Sequence, residues 1–396
     1  MASIPQSVSS HSKPERSGFT TIKNTGSFSG TRGINYNRAQ DWTKNYQTVT
    51  MLDILSDFKE MKRIGINTIK RYGPDIYDRN ILKAAGKNSI RIHYGYWIPD
   101  DLDFFADKKG PGLLRAKILK SVHSLKDEQN IVAWNLGNAV FQKLELYYYK
   151  PELLYQQDAY LNWLKDLVLN IKKIDPGRPL TIDVELDAQM GSTVERLRQL
   201  IPQIDAYGIV ADEKVTSFKA VGSLDVPYFY SDVEVTAYSP LKDARAGIFI
   251  TSWQDEKKID QVRVNGIKDY LGREKTAFSA LFHHWNNGPM PLPSPKVKVL
   301  KPALATLPGT WLNYHVLIKT GNKWDLAADG QGGLKFEWNL ARVDRFEKPV
   351  TMEHLGEGTR IAIQIPEHQS DYRLYLCVIK GDKVLEMIKS ELNTPL

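Results

Sequence analysis

The chain has 396 residues, of which 42% are hydrophobic and 25% charged, a composition typical of globular proteins rather than of disordered or fibrous ones. Its net charge of +7 is spread along the chain among 46 acidic residues, so no basic element favours nucleic-acid binding. No apolar stretch approaches the roughly 20 residues that cross a bilayer, and we predict no membrane-spanning segment.

The N-terminal segment is polar and contains no apolar core. We therefore predict a flexible leader over residues 1–29 and no signal peptide in the sequence as written. The single cysteine, Cys377, excludes an intramolecular disulfide and does not assign a compartment.

Between residues 30 and 286, apolar strand-like segments alternate with amphipathic helix-like ones. Helices are predicted at 51–65, 78–87, 110–130, 160–175, 192–203 and 267–285. Strands are predicted at 32–37, 66–72, 89–98, 131–138, 180–186, 205–211, 226–235 and 247–253. This alternation predicts parallel strands with right-handed crossovers, and eight units in about 250 residues match a (β/α)8 TIM barrel. A doubly wound open sheet is the competing fold, but no glycine-rich nucleotide loop supports it.

The pattern changes after the barrel. Residues 287–309 are rich in proline and predict an extended linker. Residues 310–396 contain short strand-like segments separated by turns and no helical spacing. They predict a small all-β sandwich of immunoglobulin or fibronectin type III shape.

Polar and aromatic residues follow several of the predicted strands, where parallel barrels place their active sites. Aromatic faces mixed with carboxylates and an amide suit a pyranose ring, whose flat side stacks on rings while its hydroxyls need polar partners. The residues concerned are Arg71, Tyr72, His93, Trp97, Asn138, Glu185, Asp232, Glu234 and Trp253.

Six segments in order carry a family resemblance: RGINYN, FKEMKRIGINTIKRY, IVAWNLGN, a proline-led strand ending in serine and an acid, GIFITSW and DYLGREKTAF. Together they resemble the catalytic barrel of clan A glycoside hydrolases, in particular family 2 and the fungal β-1,3-glucanosyltransferases. The resemblance covers about residues 30–286. It implies a retaining mechanism, with a proton donor on strand four and a nucleophile on strand seven about 5 to 5.5 Å apart.

The resemblance also assigns roles to single residues. It implies that Asn138 binds the sugar 2-hydroxyl, that Arg71 supports the nucleophile and that Trp253 forms a stacking floor. Tyr36 and His93 are matched to the same pocket. We therefore expect Arg71, Asn138 and Trp253 to turn toward one sugar-sized hollow.

Asp232 occupies the nucleophile position of the family pattern, after Ser231. The family has glutamate there, and aspartate is one methylene shorter, so its oxygen falls about 1 Å short, a misplacement that can reduce the rate about a hundredfold. On an ideal strand Glu234 points to the same side as Asp232, which makes it the reserve candidate.

The residue after Asn138 is Ala139, where the family carries its acid/base glutamate. Alanine cannot transfer a proton, and positioned acid catalysis contributes roughly 10² to 10⁴ in rate. Three explanations remain open: an engineered change, a natural branch that lost hydrolysis and kept sugar binding, or another carboxylate such as Glu145 or Glu185. Departures at two strands favour natural divergence.

Two functional hypotheses follow, with an oligo- or polysaccharide as the partner of both. The first is a retaining β-glycosidase or transglycosidase with altered or lost acid/base chemistry. The second is a non-catalytic glycan-binding domain of a larger polysaccharide-handling protein. No HExxH motif or cysteine pair indicates a metal, and we expect no cofactor. Because sugar polymers lie mostly outside the cytoplasm, we expect a periplasmic or secreted location.

Overall fold

The computed structural model describes residues 28–38, 48–211, 221, 224–234, 246–258, 261–302 and 307–392. Most of the predicted leader, residues 1–27, lies outside the described residues. Phe28, at its end, is buried.

Eight parallel strands close into a barrel in chain order, and β1 pairs with β8. The predicted (β/α)8 barrel is therefore confirmed. Its strands are β1 Arg32–Asn35, β2 Thr68–Tyr72, β3 Arg91–Tyr96, β4 Ile131–Leu136, β5 Leu180–Glu185, β6 Ala206–Val210, β7 Tyr228–Val233 and β8 Ile248–Ile250.

Helices pack around the barrel through apolar faces that share one core with the outward-facing strand residues. The first helix begins at a capping box formed by Thr50 and Asp53 and ends at Gly65, whose φ of 94° is left-handed. The described helices are α1 Met51–Ile64, α2 Asp78–Asn88, α3 Lys109–Leu125, α4 Val140–Lys143, α5 Glu152–Ile174, α6 Met190–Leu200 and α7 Thr276–Asn286.

The helix predicted at 110–130 ends at Leu125 and the one predicted at 192–203 spans Met190–Leu200, and two other predicted helices differ more. α5 begins eight residues before the predicted start at 160, because Glu152–Tyr155 continue the helical spacing. Only the second half of the helix predicted at 267–285 is helical, as α7. The first half contains two short strands instead. One pairs with Ser252–Gln254 and the other with Lys383–Val384.

The strands after β8 are short: β9 Ser252–Gln254, β10 Glu256–Lys257, β11 Val262–Arg263, β12 Gly266–Lys268 and β13 Glu274–Lys275. The C-terminal β domain follows with β14 Val297–Leu300, β15 Trp311–Thr320, β16 Lys323–Leu326, β17 Leu334–Val343, β18 Pro349–Glu357, β19 Arg360–Gln364, β20 Tyr372–Lys380 and β21 Lys383–Glu391. β14 lies inside the range predicted as a linker and pairs antiparallel with β15. The immunoglobulin or fibronectin identity of the domain stays a prediction.

The barrel and the C-terminal domain share one sheet. The order of its seven strands is β18-β17-β20-β21-β13-β12-β9, and β13 pairs parallel with β21 across the joint. Arg273, just before β13, donates two hydrogen bonds to the carboxylate of Glu337 on β17, at 2.6 and 2.7 Å. The strand pairing and this bidentate ion pair both join the two domains.

Glu337→Gln tests that joint. We expect the free energy of unfolding to fall by about 1 to 2 kcal/mol, because the charge-assisted pair to Arg273 is lost at a partly exposed site. Denaturant unfolding of the whole chain measures the change, with Glu353→Gln at an exposed position as control. Equal stability of both variants would show that the pair contributes nothing to the joint.

Candidate functional site

The barrel interior around His93, on β3, is aromatic. The His93 ring lies 5.2 to 5.5 Å, centroid to centroid, from the rings of Phe28, Phe229 and Phe249. Its Nε2 is 2.8 Å from Thr181 Oγ1. Burial, and then the nearby Lys70 ammonium, lower the pKa of His93 well below its ordinary value. His93 is therefore a neutral residue of the barrel floor and has no exposed surface.

A buried ion pair crosses the interior. The Lys70 ammonium on β2 donates to Asp183 Oδ2 on β5 at 2.6 Å and to Ser231 Oγ on β7 at 2.6 Å. Both charged side chains are 1% exposed. A charge in such a place is tolerated only when it is paired and hydrogen-bonded, which explains why three strands contribute to one contact.

Further donors complete the shell around Asp183. Asn135 Nδ2 donates to its Oδ1 at 3.0 Å, and the Tyr72 hydroxyl donates to its Oδ2 at 3.3 Å. Gly208 on β6 leaves room for the carboxylate, because a Cβ there would lie 2.2 Å from Asp183 Oδ1. The network fixes this carboxylate and the Tyr72 ring in one arrangement.

Asp232 reaches the same space through a break in strand regularity. The pairing of β7 with β8 shifts register between Tyr230 and Val233, and Asp232 has a left-handed φ of 58°. Two consecutive side chains therefore contact residues of the interior: Ser231 meets Lys70, and Asp232 Oδ1 accepts a hydrogen bond from Asn35 Nδ2 at 2.8 Å.

The electrostatic surroundings of Asp232 are mixed. Burial raises the pKa of this carboxyl above the usual aspartate value, and the nearby charge of Asp183 raises it further. Lys70 and Arg263 oppose the shift, as does the Asn35 hydrogen bond. Arg263 lies on the hairpin of β10 and β11 and is exposed, so its charge reaches Asp232 from the solvent side.

An aromatic wall stands beside these polar groups. Trp97 follows β3 and is 47% exposed. Its ring meets Tyr72 edge to face at 5.4 Å, and the Lys70 ammonium lies 5.3 Å from the Tyr72 centroid. An exposed indole beside carboxylates and an ammonium is a surface on which a sugar ring can stack.

The tip of β4 has no acid. Ala139 is buried with a left-handed φ of 62°, at the start of the short helix α4. Asn138 is also buried, and its Oδ1 accepts a hydrogen bond from the Ile98 amide at 3.2 Å. Its Nδ2 has no hydrogen-bond partner among the described residues.

Three other carboxylates are candidates on sequence grounds. Glu185 ends β5 and lies 3.7 Å from the Lys143 ammonium, with 38% of its side chain exposed. Glu145 is exposed on a short 3-10 turn after α4. Glu234 follows β7 and is partly exposed. Because of the irregularity at Asp232, the ideal-strand argument that placed Glu234 beside it does not apply.

Arg71 does not face the barrel axis, contrary to the expectation from the sequence. Its guanidinium donates to the carbonyls of Tyr36 and Arg38 at 3.4 and 3.2 Å. It also lies 3.5 to 3.6 Å from the carboxylates of Asp75, in the loop after β2, and Asp78, at the start of α2. Side chains alternate along a strand, and Lys70 occupies the inner side at this point.

Trp253 and Tyr36 also face the helices. The Trp253 ring is fully buried, 6.1 Å from the Phe278 ring of α7 and 5.3 Å from the Lys268 ammonium. The Tyr36 hydroxyl donates to Asp57 Oδ2 on α1 at 2.8 Å. The expected convergence of Arg71, Asn138 and Trp253 on one hollow is therefore corrected for Arg71 and Trp253.

The residues that do converge were only partly expected. Lys70, Asp183, Asn35 and Asn135 were not predicted from the sequence. A signal was present, since TIKRY and LTIDVE each carry charged residues within a mostly buried strand. Such a charge needs a partner across the barrel.

Among the described residues, no group of three or more histidine, cysteine or acidic side chains is arranged to hold a metal ion. In the same part of the chain, no helix has the length and apolarity that a membrane crossing requires.

Comparisons with known proteins identify the fold. No family model matches the sequence, and no curated protein matches it. Among solved structures, the chain is similar to the Bacteroides uniformis β-glucuronidase, with 13% identity over 91% of this chain and 45% of that one and a TM-score of 0.52. This likeness shows the fold alone, a closed barrel of eight parallel strands.

Two further solved structures have lower TM-scores. The GH5_18 protein from Streptomyces cattleya, in complex with GlcNAc, shares 14% identity over 66% of this chain and 82% of that one, with a TM-score of 0.49. The Parabacteroides merdae β-glucuronidase shares 12% identity over 91% and 48%, with a TM-score of 0.46. The chain spans about half the length of the glucuronidases.

Lys70→Met tests the buried ion pair. We expect the free energy of unfolding to fall by about 3 to 5 kcal/mol, because Asp183 would be left buried without a counter-charge. The double variant Lys70→Met with Asp183→Leu recovers most of this loss, since no unpaired charge remains. Chemical denaturation measures both. A single variant as stable as the original chain would contradict the pairing.

The titration of Asp232 can be followed by carboxyl ¹³C NMR. We expect a pKa above the ordinary aspartate value, and Asn35→Ala raises it further by removing a donor that favours the carboxylate. A raised pKa means that protonation favours the folded state, so this contribution to stability is lost as the pH rises through the folded-state pKa. Gln364→Ala, at an exposed site, leaves the titration unchanged. A pKa below the ordinary value would contradict the burial of this carboxyl.

Proposed function

We propose that the barrel binds a β-linked oligo- or polysaccharide at its mouth, the opening at the C-terminal ends of the strands around Tyr72, Trp97 and Asp232. We also propose that it does not catalyse ordinary acid-assisted hydrolysis. The observation that carries the proposal is the exposed indole of Trp97 beside Tyr72, at the rim of a fixed polar interior. Trp97 supplies a stacking surface, and the carboxylate of Asp232 is available to hydroxyl groups. The fold neighbour named as a β-glucuronidase supports a sugar ligand.

The polar groups around this surface are already held in place. Lys70, Asn135 and Tyr72 all donate to Asp183, so the floor of the mouth does not reorganise when a ligand arrives. The Asn138 amide is buried and its Nδ2 has no partner among the described residues. The resemblance assigns this amide to the sugar 2-hydroxyl, and that contact requires the buried side chain to become accessible when a ligand binds.

The C-terminal end of β4 lacks the proton donor that ordinary hydrolysis needs. Ala139 is 2% exposed and carries no proton to transfer. Glu185, the acid at the tip of the next strand, lies 3.7 Å from the Lys143 ammonium and forms an ion pair with it. We therefore place hydrolysis second and glycan binding first, whether the barrel acts alone or as a domain of a larger polysaccharide-handling protein outside the cytoplasm.

One observation favours the second candidate, a retaining glycosidase with an altered acid. Asp232 is partly exposed and hydrogen-bonded by Asn35, as a nucleophile would need to be. In this alternative Asp232 attacks the sugar, with Glu234 in reserve, and the leaving group departs without a donor from β4.

Trp97→Ala tests the binding proposal. We expect affinity for the best ligand on a printed array of β-linked di- to tetrasaccharides to fall about tenfold, because the stacking face is lost. Phe346→Ala removes an aromatic side chain that is 64% exposed on the C-terminal domain, and leaves binding unchanged. Isothermal titration calorimetry measures both. Binding that is equal in the two variants would contradict a site at the mouth.

A parallel assay separates the two candidates. Aryl β-glycosides with good leaving groups need no proton donor, so a retaining enzyme without its acid would still cleave them. We expect no turnover above background. Turnover that Asp232→Asn abolishes and azide accelerates would establish the enzyme instead.

A further inference from the structure

A second aromatic surface lies on the same rim as the mouth. The segment 97–108 connects β3 to α3, and α5 follows the connection from β4, so both first turns lie at the C-terminal ends of the strands. There the Phe105 and Tyr155 rings stack at 5.3 Å with an angle of 23° between their planes. They are 50% and 54% exposed.

The stacked rings border a groove of about 450 Å³ between α3 and α5. Its lining combines the aromatic faces with hydrogen-bonding side chains, namely Asp107, Lys108, Arg115, Asp158 and Asn162. Planar rings flanked by carboxylates and an amide suit sugar rings and their hydroxyls better than a purely apolar partner.

Hydrogen bonds hold the stacked rings of Phe105 and Tyr155, here called the Phe105–Tyr155 platform, in place. The buried Gln156 of α5 accepts hydrogen bonds from the Phe104 and Phe105 amides at 2.9 and 3.2 Å, and its Nε2 donates to Asp103 at 2.7 Å. Asp103 in turn accepts from the Ala106 amide at 2.7 Å. Phe104 anchors the segment below, with its ring 5.1 Å from Tyr160. A surface fixed in this way loses little entropy on binding.

Two tyrosines between α4 and α5 lie near the segment that connects β3 to α3. Tyr147 is 50% exposed and lies against Asp100, three residues after Trp97. Tyr148 lies near Asp103. Phe105 follows Trp97 by eight residues, so the two are at most about 29 Å apart. One polysaccharide chain can therefore reach both aromatic surfaces.

We propose that the groove with the Phe105–Tyr155 platform is a second glycan-binding site, whose ligand is a chain of β-linked sugars rather than a single terminal sugar. The class of ligand rests on the proposed function of the mouth, but the site does not require the mouth to be occupied. A polymer gains affinity by engaging both surfaces, and a short oligosaccharide engages only one.

Gly112 provides a sharp test, because it lies in the first turn of α3 and lines the groove. A Cβ added at this position would have nothing within 4 Å of it. The Cβ of Gly112→Trp therefore meets no neighbour, and its indole narrows the groove. Gly191→Trp is the matched control, since Gly191 also lies in the first turn of a helix, α6, with the same open space.

Affinity electrophoresis of the whole chain in soluble β-1,3-glucan, β-1,4-glucan and β-1,4-mannan is the measurement. We expect Gly112→Trp and Tyr155→Ala to weaken retention by the preferred polymer on the order of tenfold, while Gly191→Trp has no effect. Binding of array di- to tetrasaccharides at the mouth stays unchanged in all three. Hydrogen exchange adds a direct readout, with slower exchange at 104–112 when the polymer is present.

The outcomes distinguish the two proposals. If Gly112→Trp and Gly191→Trp are retained equally, the second site is wrong, whatever Trp97→Ala does. If Gly112→Trp weakens retention and Trp97→Ala does not, the groove stands and the mouth fails. If none of the three polymers retains the original chain, a glycan as the ligand of the groove is overturned in favour of another class of partner.

Discussion

The salt bridge between Lys70 and Asp183 is the contact on which the rest of the site depends. Two charges with 1% exposed side chains are stable inside a barrel only with full hydrogen bonding, and four strands supply the partners. The pair fixes Tyr72, which in turn meets Trp97 at the rim. It also places a positive charge near Asp232. The side chains at the mouth are thus positioned by the Lys70–Asp183 ion pair, which lies deeper in the barrel.

Regular features of the fold were accessible from the sequence because local periodicity determines them. The eight strands and most helices follow apolar spacing, and the closed barrel follows from their alternation. The strands β12 and β13 were not accessible, because β13 is stabilised by β21, more than 100 residues later. Spacing alone could not distinguish them from the start of a helix.

The site was predicted less well than the fold, for a reason visible at β2. TIKRY places a cation on each side, Lys70 and Arg71, and alternation alone does not say which one faces the axis. Asp75 in the following loop and Asp78 at the start of α2 hold Arg71 outside, so Lys70 faces in. At β7 the two-residue alternation of side chains is interrupted, because the irregularity at Asp232 turns two adjacent residues to the same side.

A crystal soaked with the best-binding oligosaccharide tests the central claim most directly. The account predicts a sugar ring stacked on Trp97, with a hydroxyl hydrogen-bonded to Asp232 and the Lys70–Asp183 pair undisturbed beneath it. An oligosaccharide bound elsewhere with the mouth empty, or a displaced salt bridge, would contradict the account.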